Sequence, residues 1–446
     1  MDYFKIIIDA QERCKMEQFT FIVLGAGSRG QTYSKFMNEM PDKYKIVGVA
    51  EPVEFKRRYM QKKYGIADEG CFTDWREILD RPKMADIAVI STLDADHYAP
   101  AMKAIELGYD ILLEKPVAPT PTECRDIANA AEKKGVRVLV CHVLRYTDFF
   151  KKIRTIVKSG KLGKIVAADH VEGIGDRHFS HSYVRGNWHS EKETSPMLLA
   201  KSCHDIDILQ WILDKKCKKV QSFGSLTYFT PANAPDGAPV RCFGGNCPIA
   251  DTCRYCSKQI YIDNPRGEWF KGAFRNIVSK DFGFSDEELE KALAVTDYGL
   301  CVFHANNDVN DHQIVNMEFE DGETVALTVN AFNLGGRYIR IYGTKGELYA
   351  HMSDDFITVS TYEDVKTEKI PVRAADEMIT GGHGGGDSGI VYDLYDYLSG
   401  DYHGFSVADI HISVANHMIG FAAEESLHND TVVDLDKFCE KYDFKI

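Results

Sequence analysis

The sequence predicts an α/β fold in two parts: a doubly wound parallel sheet, then an α/β domain with an open, mostly antiparallel sheet. Three observations carry this. Strands apolar on both faces alternate with segments of helical spacing up to about residue 145. A glycine-rich turn joins the first of those strands to a helix. Beyond residue 145 the strands lengthen, become amphipathic and are joined by hairpin turns. At 446 residues the chain also exceeds the roughly 250–300 residues at which one core stops growing. The expected division is an N-terminal extension over 1–17, a parallel-sheet domain over 18–145, and a second domain over 146–446 with a Cys-rich insertion at about 228–300.

Residues 19–24 are the first strand and run directly into Gly25, Gly27 and Gly30 and a helix. Strands follow at 45–50, 87–90, 111–113 and 136–140, separated by helical stretches such as 101–107 and 123–134. In the second part, 313–320 and 323–331 flank Asp321-Gly322, which predicts a tight two-residue hairpin. Strands at 337–342, 347–352 and 356–362 extend that sheet, a helix at 286–293 lies in the insertion, and helices at 390–398 and 410–427 close the chain.

Composition narrows the function. Fifty-three basic against 67 acidic residues give a net charge of −14, which repels nucleic acid and anionic lipid alike. Lys215, Lys216, Lys218 and Lys219 are the one notable basic cluster and read as solvating a helix end. No apolar run approaches a membrane span and residues 1–17 lack a secretory pattern, so a cytoplasmic protein with reduced thiols is expected.

Gly25, Gly27 and Gly30 supply a tight turn, close backbone approach to a pyrophosphate, and close helix-to-strand packing. Ser28 and Arg29 lie in the same turn, and the helix start offers free N–H groups. Glu51, at the end of the second strand, suits an adenosine ribose hydroxyl and favours NAD, while Arg57 and Arg58 keep NADP open. Thr92, His97, Glu114 and Lys115 are further cofactor-binding candidates on this edge. Pro116 biases Lys115 towards extended backbone, projecting its ammonium beyond the strand. Ser202 to Asp205 has capping-box spacing, which predicts a helix starting at Ser202 with His204 in its first turn as a general base and Asp207 orienting it.

The glycine turn, Glu51, Glu114-Lys115-Pro116 and His204-x-x-Asp207, in this order, resemble the glucose-fructose oxidoreductase/inositol dehydrogenase (Gfo/Idh/MocA) family over nearly the whole chain. The resemblance implies a Rossmann domain, an α/β domain whose sheet often mediates homo-oligomerisation, and an active site in the cleft between them. It also implies NAD(P)-dependent oxidation or reduction of a hydroxyl or carbonyl on a sugar, sugar acid or cyclitol, with Lys115 and His204 beside the reacting carbon. Where the family commonly has an Asp four residues before the His, this chain has Ala200, followed by Lys201: either Lys201 supplies a replacement proton carrier or electrostatic group, which would favour an anionic substrate such as a sugar acid, or the catalytic arrangement differs from that of inositol dehydrogenases. Two other readings remain: an NAD-dependent glycosidase acting by transient oxidation and elimination, and a non-catalytic NAD-sensing regulator.

Three further groups of residues draw notice. His181, Tyr183, Arg185, Asn187 and Trp188 mix donors with aromatic faces, as sugar hydroxyls require, and His383 lies in a glycine-rich loop before a helix with Asp387 as its N-cap. Cys242, Cys247, Cys253 and Cys256 have spacings that suit one tetrahedral zinc ion, with Cys301 as a rival fourth ligand; reduced, partly buried cysteines are the main alternative, ahead of an iron–sulfur cluster or a disulfide pair.

Overall fold

Strands buried on both faces need covering helices on each side, and that requirement shapes the first half of the chain. The computed structural model describes residues 18–263, 274–275, 277–279, 285–372 and 385–445; the expected 1–17 extension lies outside them. The strands are β1 (Phe19–Leu24), β2 (Tyr44–Ala50), β3 (Cys71–Phe72), β4 (Ile87–Ile90), β5 (Asp110–Leu113) and β6 (Val138–Val140). They form one six-stranded sheet in the order β3-β2-β1-β4-β5-β6, with every pairing parallel. The order reverses between β1 and β4, where doubly wound sheets bind ligands beyond their carboxyl ends. Helices α1 (Ser28–Asn38), α2 (Glu54–Tyr64), α3 (Trp75–Leu79), α4 (Tyr98–Leu107) and α5 (Pro121–Lys134) connect the strands.

The chain divides into two units, and the first is discontinuous: the described residues 18–117 and 126–147 are joined by 385–412. That late segment carries a helix, Gly386–Ser399, whose Ile390, Val391, Leu394 and Leu398 pack into the same core as Phe21, Tyr33 and Met37. The helix is capped by Gly385 rather than by Asp387. Asp387 instead lies in its first turn and receives a guanidinium.

The second unit is built on nine strands. β7 (Ile165–Gly173), β8 (Cys217–Ser225), β9 (His312–Phe319), β10 (Thr324–Asn330), β11 (Gly336–Gly343), β12 (Gly346–His351), β13 (Phe356–Thr361), β14 (Lys366–Pro371) and β15 (Val433–Asp434) run in the order β14-β13-β12-β11-β7-β10-β9-β8-β15. Every pairing is antiparallel except β10 with β7. The β9–β10 hairpin differs from expectation. Phe319 and Glu323 close it, leaving three residues with Gly322 at φ +88°, because a third residue in the left-handed region lets a type I turn follow the strand twist. The lysines after residue 214 meet its acidic tip, Lys215 with Asp321 and Lys219 with Glu318.

One face of the sheet buries Val315, Met317, Val325, Leu327, Ile339, Ile341, Leu348 and Val359. Helices Met197–Leu213 and Ile410–Asn429 cross so closely that a Cβ on Gly420 would meet Leu199 Cδ2 at 2.6 Å. Among the described residues no helix is long and apolar enough to cross a membrane.

A carboxyl lies under that covering layer. Glu424 accepts from Gln313 Nε2 at 3.0 Å and is buried, which pushes its pKa up to about 7. The folded state therefore keeps a proton that the unfolded chain has already lost above about pH 4.5, so this stabilisation is full below that pH and is lost as pH rises through 7. Glu424→Gln should gain on the wild type by about 3 kcal/mol between pH 5 and pH 8. Urea midpoints at the two pH values measure it, and an equal difference at both would refute the buried-carboxyl account.

Candidate active site

The glycine turn leaves β1 at the carboxyl edge of the parallel sheet, and its three glycines meet three different constraints. Gly25 has φ +89°, and a Cβ there would lie 2.6 Å from the Ser91 carbonyl oxygen. At Gly30 a Cβ would come within 2.1 Å of the Gly25 carbonyl oxygen. At Gly27 it would meet no protein atom within 4 Å, so nothing in the fold itself demands glycine there. Gly27 is the N-cap of α1, and no side chain caps that helix. Its first-turn N–H groups and positive dipole end thus suit an anionic diphosphate passing over Gly27.

Glu51, at the end of β2, accepts from Ala26 N at 2.7 Å and from Val53 N at 2.9 Å, tying the turn to the neighbouring strand. A carboxylate has about four acceptor positions, so the two backbone donors leave capacity for a ribose hydroxyl. Arg57 donates to the carbonyls of Glu51 and Pro52, and Arg58 faces Glu54 at 3.5 Å. Both cations that kept a 2′-phosphate in view therefore have local acceptors.

At the end of β5, buried Glu114 accepts from Arg29 Nε at 2.7 Å, Tyr33 Oη at 2.6 Å and Lys115 N at 2.9 Å. Burial alone would raise its pKa, but the Arg29 and Lys115 charges outweigh burial and hold it below the usual carboxylate range. Arg29 also donates to both oxygens of Asp387, at 3.1 and 2.6 Å. Of the cofactor candidates, Arg29 and Glu114 thus hold each other, and exposed Ser28 faces outward. His97 is buried with Nδ1 2.7 Å from the Pro116 carbonyl and Nε2 3.3 Å from that of Thr92, so it fastens the turn after Lys115. Thr92 Oγ1 donates to Asp96 O at 3.0 Å.

In the second unit the helix carrying His204 begins at Met197 behind Pro196, not at Ser202. The buried apolar run Met197, Leu198, Leu199 extends it backwards, so His204 sits two turns in and the dipole argument for its neutrality falls. It is 7% exposed. Lys201 lies 3.3 Å from Glu172 of β7, Ala200 is buried, and Asp207 accepts from Asn416 Nδ2 at 2.6 Å. Asp205 accepts from His170 at 2.8 Å and from Arg337 at 2.7 Å, and Arg337 also lies 2.7 Å from Glu172. Burial opposes the Asp205 charge, yet Arg337 and His170 override it and hold the carboxyl well below its usual range. Two cations, Lys201 and Arg337, thus balance two carboxylates, Glu172 and Asp205. Sequence reading missed Tyr33, Glu172, Arg337 and Asn416 and took Asp205 for a capping residue; the charge of Glu172 within a strand was the one local signal.

The aromatic segment before this helix is largely packed inward. His181 stacks on Phe274 with centroids 4.0 Å apart, lies 3.0 Å from Tyr261 Oη, and is pushed down to about 3 by burial and the Arg185 charge. Tyr183 is buried against Phe179 and Trp188, and Arg185 is buried, donating to Leu300 O and Tyr255 O. In this structure these three side chains are held by packing and backbone contacts. Asn187 is exposed and Trp188 half-buried, so they keep the access a substrate needs. His383 lies outside the described residues.

Residues 19–142 match the NAD-binding Rossmann-fold domain of the GFO_IDH_MocA oxidoreductase family, and residues 154–373 match its C-terminal α/β domain. "Putative oxidoreductase YteT" of Bacillus subtilis is 24% identical over 397 residues, covering 85% of this chain and 89% of that one. The 2,7-anhydro-N-acetylneuraminate hydratase of Escherichia coli is 26% identical over 204 residues, 45% of this chain and 51% of that protein. Inositol 2-dehydrogenase of Salmonella typhimurium is 22% identical over 202 residues, 45% and 56%. The chain thus matches about half the length of the last two relatives. Among solved structures, a levoglucosan dehydrogenase in complex with NADH and L-sorbose shares the fold at a TM-score of 0.67 and 17% identity, covering 94% of this chain and 99% of that one.

The differing glycine environments yield a direct test. Gly30→Ala should destabilise the first unit by about 1–3 kcal/mol through overpacking, whereas Gly27→Ala should change its stability by less than about 1 kcal/mol. Urea denaturation reads both, and equal midpoints for the two variants would contradict the packing assignment.

Proposed function

This chain belongs to the Gfo/Idh/MocA oxidoreductase family, and from that premise we propose that it oxidises or reduces a hydroxyl or carbonyl carbon of a neutral sugar or cyclitol using NAD. The observation that supports this most is the carboxyl edge of the parallel sheet. There an open glycine turn, the Glu51 carboxylate and Lys115, whose backbone is held by Glu114, share one border. The names of the inositol dehydrogenase and levoglucosan dehydrogenase relatives suggest the substrate class.

When bound, the nicotinamide supplies the hydride acceptor or donor. The chain's residues do the rest. The turn at Gly25, Gly27 and Gly30 and the α1 N-terminus hold the diphosphate, and Glu51 takes the ribose hydroxyl. In the oxidative direction the role proposed for His204 is removal of the substrate hydroxyl proton, and that proposed for Lys115 is stabilisation of developing negative charge; reduction runs the proton back. Lys201, compensated by Glu172, gives no reason to favour a sugar acid. The backbone acceptors of Arg57 support NAD over NADP.

A second reading draws on the hydratase relative, whose name denotes a reaction without net redox change. In it a ring hydroxyl is oxidised transiently, a leaving group and the proton next to the new carbonyl are eliminated, water adds to the resulting double bond, and the carbonyl is reduced again. Directly paired Phe223 and Ile314, 54% and 41% exposed on the outer sheet face, support a homo-oligomer.

Assays with NAD or NADP against a panel of sugars and cyclitols test the proposal. Lys115→Met and His204→Ala should each lower kcat/KM about 10²–10⁴-fold with the fold retained by circular dichroism. Product formation without net NADH would favour the elimination reading, and full activity in His204→Ala would defeat both.

A further inference from the structure

Five thiols outside the proposed active site converge on one small cavity. Cys242, Cys247, Cys253, Cys256 and Cys301 line it together with Arg185, and the space inside is about 10 Å³, room for about one water-sized particle. All five are free cysteines. Cys242, Cys247 and Cys253 belong to a segment with little other means of holding itself together, since from Pro231 to Arg254 no side chain is buried. Such a stretch cannot repay its ordering entropy through apolar burial and calls for a staple.

The backbone is shaped around the sulfurs. Between Cys242 and Cys247 the chain reverses through Gly244 at φ +74° and Asn246 at φ +52°, and a Cβ on Gly245 would lie 2.0 Å from the Arg241 carbonyl oxygen. Cys253 and Cys256 share one turn, closed by Cys256 N donating to Cys253 O at 3.0 Å. Ser257 N donates to Cys242 Sγ at 3.4 Å, a contact that favours anionic sulfur.

Arg185 supplies the second, independent observation. It is 2% exposed, its Nε and Nη2 donate to the carbonyls of Leu300 and Tyr255, each at 2.7 Å, and its Nη1 is buried without a hydrogen-bond acceptor. Both of these hydrogen bonds go to backbone carbonyls and not to a carboxylate. A buried cation needs a negative partner, and a divalent ion bound by four thiolates carries a net charge of about −2.

We infer that this pocket is a structural zinc site, in which Cys242, Cys247 and Cys253 are fixed ligands, Cys256 or Cys301 completes the tetrahedron, and Arg185 balances the charge. Thiolate donors select zinc or iron–sulfur clusters, and the one-particle space favours a single ion. Among the described residues, three ligand atoms all within 4.8 Å of one another occur only at Glu191, Glu424 and His428. No three of the thiols therefore yet meet at the roughly 3.8 Å edges that 2.3 Å Zn–S bonds require, so binding would draw them together. Each thiol that binds loses its proton to solvent.

The full chain, purified without added metal and analysed by mass spectrometry of its elements, should carry one zinc per chain; a strong chelator should remove it and lower the melting temperature, and zinc alone should restore both. Cobalt substituted for zinc should give the intense charge-transfer and visible bands of a tetrahedral thiolate site. Cys247→Ser should hold no zinc, and of Cys256→Ser and Cys301→Ser one should keep it and the other lose it, naming the fourth ligand. Cobalt titration of the wild type needs no variant to fold. Iron with acid-labile sulfide in place of zinc, a chain that takes up neither zinc nor cobalt, or a Cys247→Ser variant with full zinc content would each overturn the assignment.

Discussion

The first unit depends on one buried carboxylate at the end of a parallel strand. Glu114 is 5% exposed and takes three donors: a guanidinium, a phenol and the backbone N–H of the next residue. A charge in that position is tolerable only when fully paired, and removing one partner from such a pair typically costs about 3–5 kcal/mol. Arg29 is therefore not free to leave, and because it belongs to the first turn of α1, the glycine turn and the helix start are fixed with it. Lys115 is fixed from the other side, through its own backbone N–H. The opposite end of Arg29 recruits Asp387, 358 residues away, which helps explain why a late helix folds back into the first core. The resident carboxylates have structural partners, and the open Gly27 surface is left for a ligand.

The second unit repeats this logic around the helix that bears His204. Asp205, its immediate neighbour, is held between His170 of β7 and Arg337 of β11, and Asp207 is held by Asn416 of the following long helix. Anchors one residue and three residues beyond the imidazole fix the rotation of the helix and thereby the direction in which position 204 points. Packing alone would allow some slippage, since the helix is apolar almost all round and nearly every residue in it is buried. The buried charges supply the specificity that an apolar surface does not.

Much of this was legible in the chain because it is local. Strand-to-helix alternation, the glycine turn and the carboxylate at Glu51 depend on neighbours within about one βαβ unit, and the sheets follow them. What failed were patterns with a competing tertiary use. Ser202-x-x-Asp205 has the spacing of a capping box, yet Asp205 is needed by Arg337 and the apolar residues before Ser202 are worth more buried in a helix than extended in a loop. Asp387 looked like a cap and is an ion partner. His181 and Arg185 looked like hydroxyl contacts and are held by residues 70 or more positions later. No spacing rule announces such encounters, because register between distant elements is set by the finished fold.

The alanine at position 200 gains its meaning from the same charge balance. Ala200 is 1% exposed, so a carboxylate there would be buried. Lys201 does not stand in for it, because Glu172 already answers its charge and Arg337 in turn answers Glu172. Adding a second proton carrier at this point of the helix would break a neutral set of two cations and two carboxylates and leave one charge uncompensated in the interior. The chemistry proposed for this chain is accordingly assigned to a single imidazole, and the surrounding charges are arranged to hold it in place rather than to share its proton.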